Sequence, residues 1–313
     1  MFNIIRDIIN MGSDNMDINK ILKENIWLFG SNPEVKKINV GFTNTLYIVN
    51  NKYIIKICTK QENENKFKNE INSYNLNKNN ELVPKLYKYS IDKKEVPYYY
   101  EILEKINGVT LYNLWHTLSE KERENIIKEL CFAMKNIHKN KGDKYDWIKR
   151  NSEIYLKLYK KAKEMNLFNK EELQLLDKAY LEFPEYLKSN EFVLVHNDLH
   201  FDNIFYNHGK IKIIDFERSL YAPKDYELGI IYRMIRKPWK FASEETEKFT
   251  NSKDYENIMP YIEKYYPELI NIDNLYKRLS IYDLLYYLEN YIKSPNVAEL
   301  KEETIKSANN IIK

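Results

Sequence analysis

The chain has 313 residues and is 43% hydrophobic, which excludes a disordered polymer and allows one large domain or two lobes with real cores. Its 49 basic and 46 acidic residues leave a net charge of +3, too balanced to mark a nucleic-acid or membrane-surface protein. No apolar run reaches the roughly 18 residues of a membrane span.

Tyr is abundant at 27 residues and Gly scarce at 7; with many Asn, Lys and Ile, this reads as AT-rich coding rather than as function. The start, Met1-Phe2-Asn3-Ile4-Ile5-Arg6-Asp7, carries an early acid and no small-residue cleavage site, so no signal peptide is expected. Met11 or Met16 could be the true start. Cys58 and Cys131 form no CxxC pair and are expected as buried free thiols of a cytoplasmic protein.

In chain order, Ile18, Ile21, Leu22, Ile26 and Leu28 predict a helix over 17–29. Strands are expected at 37–41, 45–49 and 53–57, with Asn50-Asn51 as a hairpin turn. Residues 62–79 read as a polar helix, and 86–89 and 98–104 as strands around Pro84 and Pro97. After Asn107-Gly108 the chain turns helical. Ile126, Ile127, Leu130, Met134 and Ile137 line one face of a helix over 119–139, and 152–166, 170–188 and 254–312 are further helical stretches. Two apolar strands, 192–195 and 211–214, interrupt them, with a turn at Asn207-His208-Gly209-Lys210. The expected class is α+β, with a β-rich N-lobe over 1–103 and a mainly helical C-lobe over 104–313.

The chemistry concentrates in His196-Asn197-Asp198-Leu199-His200-Phe201-Asp202-Asn203, followed by Ile213-Ile214-Asp215-Phe216-Glu217. Either Asp alone reads best as a turn residue. The joint pattern His-x-Asp-x-x-x-x-Asn, then a strand ending in Asp-Phe, puts two carboxylates and an amide in short loops beside buried strands. Phosphoryl transfer needs such groups: Asp198 to take or orient the acceptor hydroxyl proton, Asn203 and Asp215 as oxygen ligands for Mg²⁺. Upstream, Lys56 lies inside an apolar strand and Glu70 on the next helix. Lys56 taken alone would be a surface residue of an edge strand. With the downstream loop present, the two read as a phosphate-binding Lys held by a helix Glu.

These motifs resemble the aminoglycoside phosphotransferase and choline kinase family, which shares the protein-kinase-like two-lobed fold. The resemblance covers nearly the whole chain after about residue 35. It implies Asp198 as catalytic base, Asn203 and Asp215 as metal ligands, and ATP or GTP as phosphate donor. His196 and His200 match family positions and are expected to pack or order the loop. Gly41-Phe42-Thr43-Asn44-Thr45 would cover the phosphates, with Gly41 permitting the turn and backbone N–H groups near Thr43 and Asn44 meeting phosphate oxygens. Glu101 to Ile106 would be the hinge facing the base, with Glu104 and Ile106 in the nucleotide site. Phe201-Asp202 stands where relatives often carry Pro and Gly, and Glu227 takes a second acidic position, expected to brace the catalytic loop. His138 is expected to be a buried or capping group.

Acidic residues outnumber basic ones over 254–303, among them Asp254, Glu256, Glu263, Glu268, Asp273, Asp283 and Glu289. Tyr261, Tyr265, Tyr266, Tyr282, Tyr286, Tyr287 and Tyr291 interleave with them. Such a set suits a cationic small-molecule acceptor, an aminoglycoside or a choline-like amine, and equally suits solvated helix faces with core tyrosines. The resulting expectation is a cytoplasmic O-phosphotransferase using ATP or GTP and Mg²⁺, with an aminoglycoside antibiotic as the favoured acceptor, a monomer favoured though the sequence does not fix the oligomeric state, and no nucleic-acid or membrane partner. A choline or other metabolite kinase, or a non-catalytic kinase-like binding protein, is the alternative.

Overall fold

The computed structural model describes residues 14–38, 44–242 and 244–313. It divides into two compact units, Met1–Gly108 with Ile214–Arg218, and Val109–Ile213 with Ser219–Lys313.

The first unit begins with α1 (Asp14–Glu24) and α2 (Ile26–Phe29), followed by the strands β1 (Val35–Ile38), β2 (Thr45–Val49) and β3 (Tyr53–Cys58). Next come α3 (Glu64–Leu76), β4 (Leu86–Ser90) and β5 (Tyr99–Glu104). The strands form one antiparallel sheet in the order β1-β2-β3-β5-β4. Asn50 and Asn51 both sit at φ 52°, the left-handed pair that a two-residue hairpin demands and that Asn tolerates. The alternation of a strand then sorts side chains to two faces. Tyr47, Ile55 and Ile102 are cross-strand neighbours on one face, buried with Ile18, Ile21 and Phe29 from α1 and α2. Leu46, Lys56 and Glu101 are neighbours on the other.

The single helix expected over 17–29 is broken. Asn25 leaves helical geometry, its side-chain amide caps the Ile21 carbonyl at 2.7 Å, and Ile26 turns outward, 54% exposed. Of the strand expected over 37–41, residues 37 and 38 lie in β1 and residues 39–41 fall outside the described residues.

The second unit opens with β6 (Val109–Thr110) and α4 (Leu111–Leu114), then α5 (Glu120–Ile137), α6 (Trp147–Glu164), α7 (Lys170–Leu181) and α8 (Phe183–Tyr186). The strands β7 (Val193–Val195), β8 (Ile204–Asn207), β9 (Lys210–Ile213) and β10 (Leu220–Ala222) follow. Then come α9 (Leu228–Arg236), α10 (Glu244–Glu247), α11 (Ile258–Tyr265), α12 (Pro267–Ile270), α13 (Leu275–Lys293) and α14 (Ala298–Ile312).

Helix α5 starts at a capping box between Ser119 and Glu122, and its apolar stripe from Ile126 to Ile137 is buried. Helix α6 starts earlier than its apolar spacing suggests, because Asp146 caps the Lys149 amide at 2.8 Å. The stretch 170–188 splits at Leu181, with Pro184 in the first turn of α8. Helix α13 is buried on most of its circumference and packs on α6, α9 and α14.

The strands near the catalytic motif number four, not the two expected. β9 pairs with β8, and β8 with β6, while β7 pairs with β10. The expected turn at 207–210 is the tip of the β8–β9 hairpin, with His208 at φ 47° and Gly209 at φ 85°.

Candidate active site

In the first unit the site is built around Lys56. On α3, Phe67, Glu70, Ile71 and Tyr74 recur at helical spacing and are all buried, so one face of the helix presses Glu70 toward the Lys56 face of the sheet. The Lys56 ammonium meets Glu70 Oε2 at 2.5 Å and Asp215 Oδ1 at 3.5 Å. Burial works against the Lys56 charge, but Glu70, Asp215 and Glu101 more than offset it and hold the amine charged well above its ordinary pKa. For Glu70, burial dominates over the pull of Lys56 and pushes the carboxyl up to about 7.

Glu101 was expected at the start of the hinge. It lies instead inside β5, opposite Lys56, with no exposed surface and no hydrogen-bond partner for either carboxyl oxygen. Burial, reinforced by the nearby Glu70 charge, raises its carboxyl well above the ordinary carboxylate range. No periodicity distinguishes such a residue from the exposed acids of other strands.

Asp215 sits in the left-handed region at φ 66°, a strained backbone for a non-glycine residue. The segment carrying it is tied to α3. The Asp215 N–H donates to Tyr74 Oη at 3.2 Å, Asn69 Nδ2 donates to the Glu217 carbonyl at 3.1 Å, and the Phe216 ring meets Tyr74 edge-on at 5.4 Å. Tyr74 and Asn69 went unread in the sequence, because their partners lie some 140 residues away.

In the second unit, the loop after β7 carries Asp198, whose side chain is 18% exposed. Glu227, fully buried, accepts the His196 N–H on Oε2 at 2.7 Å and the Asn197 N–H on Oε1 at 3.0 Å. That double acceptance braces Asn197 at φ 62°, just before Asp198. His138 lies behind, its Nε2 3.5 Å from Glu227 Oε2 and its Nδ1 2.9 Å from Tyr266 Oη. His196 is buried and accepts the Asp198 N–H on Nδ1 at 3.3 Å.

Asn203 donates its side-chain amide to the Asp198 carbonyl at 2.9 Å. Among the described residues no hydrogen bond engages its Oδ1. Asn203 Oδ1 and the partly exposed Asp215 carboxylate are hard oxygen donors of the kind Mg²⁺ takes.

Of the remaining expected groups, Gly41 and Thr43 lie outside the described residues, and Asn44 directly precedes β2. Glu104 ends β5, its carboxylate accepting the Lys85 N–H at 3.1 Å, and Ile106 is half-buried.

A family model described as "Phosphotransferase enzyme family" matches residues 34–260. The chain belongs to the phosphotransferase enzyme family. Among solved structures, it is similar to the aminoglycoside phosphotransferase APH(2'')-Ib bound to ADP, at 16% identity and a TM-score of 0.65, over 97% of this chain and 100% of that one. The gentamicin complex of APH(2")-IIa gives 18% identity and a TM-score of 0.64, over 97% of each chain. Choline kinase from Cryptosporidium parvum Iowa II gives 18% identity and a TM-score of 0.56, over 95% of this chain and 94% of that one. No curated protein matches the sequence. These likenesses establish the kinase-like α+β fold. Among the described residues no helix is long and apolar enough to cross a membrane.

Membership in this family directs attention to the acidic, tyrosine-rich stretch 254–303. Much of that set is consumed by the protein's own packing. Asp283 is buried between Arg233 and Arg236, Asp254 pairs with Arg123 at 2.8 Å, and Tyr282 donates to Asp225 at 2.8 Å. Tyr266, Tyr287 and Tyr291 are buried, while Glu256, Glu263, Glu268, Asp273 and Glu289 remain exposed. Both cysteines are buried free thiols.

The brace under the catalytic loop yields a pH-dependent prediction. Burial alone would raise the Glu227 carboxyl, but its hydrogen bond to His138 and the nearby His138 and His196 rings outweigh that and hold it below its ordinary value. A carboxyl depressed on folding adds stability above its unfolded pKa of about 4.3, and that stability is lost as pH falls through the lower folded value. Glu227→Gln should therefore cost about 2 kcal/mol at pH 7, since one backbone N–H would face an amide NH₂. In thermal melts of both proteins across pH 3 to 8, the difference should narrow toward the acid end. An equal difference at every pH would remove the ionised carboxylate from the account.

Proposed function

We propose that this chain is a nucleotide- and Mg²⁺-dependent O-phosphotransferase acting on a small hydroxyl-bearing molecule, most reasonably an aminoglycoside, in the cytoplasm. One observation carries the reading: a charged Lys on an interior strand, held at 2.5 Å by a helix Glu and at 3.5 Å from Asp215. A half-buried, ion-paired ammonium aimed from a sheet is the group that phosphoryl transfer uses to neutralise nucleotide phosphates. On this reading Asp198 orients and accepts the acceptor hydroxyl proton. Asn203 and Asp215 hold Mg²⁺, which supplies charge neutralisation on the transferring phosphoryl group. The segment 41–44 and the β5 end at Glu104 to Ile106 contact the nucleotide.

The acceptor assignment rests on likeness. Solved neighbours include complexes with gentamicin, streptomycin and kanamycin. The exposed acids of 254–303 suit an amine-bearing acceptor. Choline or another amino alcohol is the second reading, favoured by the choline kinase neighbour. A coupled ADP- and GDP-release assay against aminoglycosides, choline, macrolides and sugars, with ATP and GTP in turn, tests it. Turnover with an aminoglycoside alone supports the first acceptor and turnover with choline the second. Nucleotide binding absent in every condition would mark a non-catalytic kinase-like binding protein.

A further inference from the structure

We propose that His200 is a positioning residue for the metal: its Nε2 takes a hydrogen of the Asn203 amide and so turns Asn203 Oδ1 toward the cation. The inference rests on the phosphotransfer reading of this loop, and it concerns how the amide is oriented. An Asn side chain can present either its oxygen or its NH₂ in a given direction, and only the oxygen ligates a metal. In this loop the amide nitrogen has two polar neighbours. Asn203 Nδ2 is 2.9 Å from the Asp198 carbonyl and 3.3 Å from His200 Nε2. A backbone carbonyl can only accept, which fixes the nitrogen on that side. For the second contact to be a hydrogen bond, the ring must be the tautomer with its lone pair on Nε2.

The histidine is itself held in place. The His200 N–H donates to the Asp198 carbonyl at 2.9 Å, and the His200 carbonyl accepts the Asn203 N–H at 3.0 Å. Its ring neighbours those of Tyr112 and Phe241, with centroids 6.5 and 6.2 Å away. Nε2 is also 4.0 Å from Asp198 Oδ1, farther than the 3.3 Å to the amide nitrogen. A partner that orients a metal ligand is commonly worth 10–100-fold in metal affinity.

The test measures metal-dependent nucleotide binding, with no turnover needed. ADP binding is titrated calorimetrically at a series of Mg²⁺ concentrations for wild type, His200→Leu and His200→Gln. Leu removes the acceptor; the Gln side-chain oxygen replaces it. The Mg²⁺ concentration for half-maximal enhancement of ADP binding should rise about tenfold or more in His200→Leu. It should return most of the way in His200→Gln, with metal-free ADP affinity the same in all three. His200→Lys, which puts a donor where the acceptor was, should shift the midpoint at least as far and serves if the Leu variant does not fold. An unchanged midpoint in these variants overturns the proposal, as do equal shifts for Leu and Gln, which would mean packing alone. Wild-type ADP binding that ignores Mg²⁺ altogether overturns the phosphotransfer reading beneath it.

Discussion

Asp198→Asn should lower phosphoryl transfer about 10³-fold, some 4 kcal/mol in the barrier, while leaving nucleotide binding intact. Asn matches Asp in size and keeps one acceptor oxygen but cannot take a proton. The loop that carries it is fixed independently, by Glu227 on His196 and Asn197 and by the Asn203 amide on the Asp198 carbonyl. The substitution therefore removes a charge without releasing the backbone. Single-turnover rates with the best acceptor from the release screen, alongside calorimetric ADP binding, separate the two effects. Unchanged turnover would sink the base assignment. A parallel loss of nucleotide affinity would make Asp198 a binding group instead.

Asp215→Ala should abolish the Mg²⁺ dependence of nucleotide binding. The carboxylate is about one-third exposed, lies 3.5 Å from the Lys56 ammonium and is presented from a strained left-handed backbone. Its removal also takes away one of the charges that keep Lys56 protonated, while Glu70 stays at 2.5 Å. Metal-free nucleotide affinity should therefore survive. Calorimetry with and without Mg²⁺ reads both quantities. Metal enhancement that persists in the variant would show that another group holds the cation.

How far the sequence could be read depended on the range of the interaction behind each feature. The β2–β3 hairpin followed from alternation and an Asn-Asn turn, and α5 from one apolar stripe, because both are local patterns. The break at Asn25 and the early start of α6 at Asp146 escaped because a single side-chain cap overrode periodicity. β8 escaped for another reason: its four residues directly follow the Asp198–Asn203 loop, and they become a strand by pairing with β9 on one side and with distant β6 on the other.

For the candidate site, the motif around Asp198 and Asn203 and the distant Lys56 and Glu70 could be picked out because chemistry restricts which residues suit them. Sequence by itself determined the kinase-like class and the identity of those polar groups. Tertiary structure alone decided how the charges around them are shared. It put Glu101 against Lys56 as an unpaired buried acid, and spent Asp254 and Asp283 on internal arginines. It also set the His200 ring 3.3 Å from the Asn203 amide. A carboxylate reads the same in sequence whether solvent, an arginine or a lysine will meet it. Its partner, its burial and hence its charge are set by packing between residues far apart in the chain.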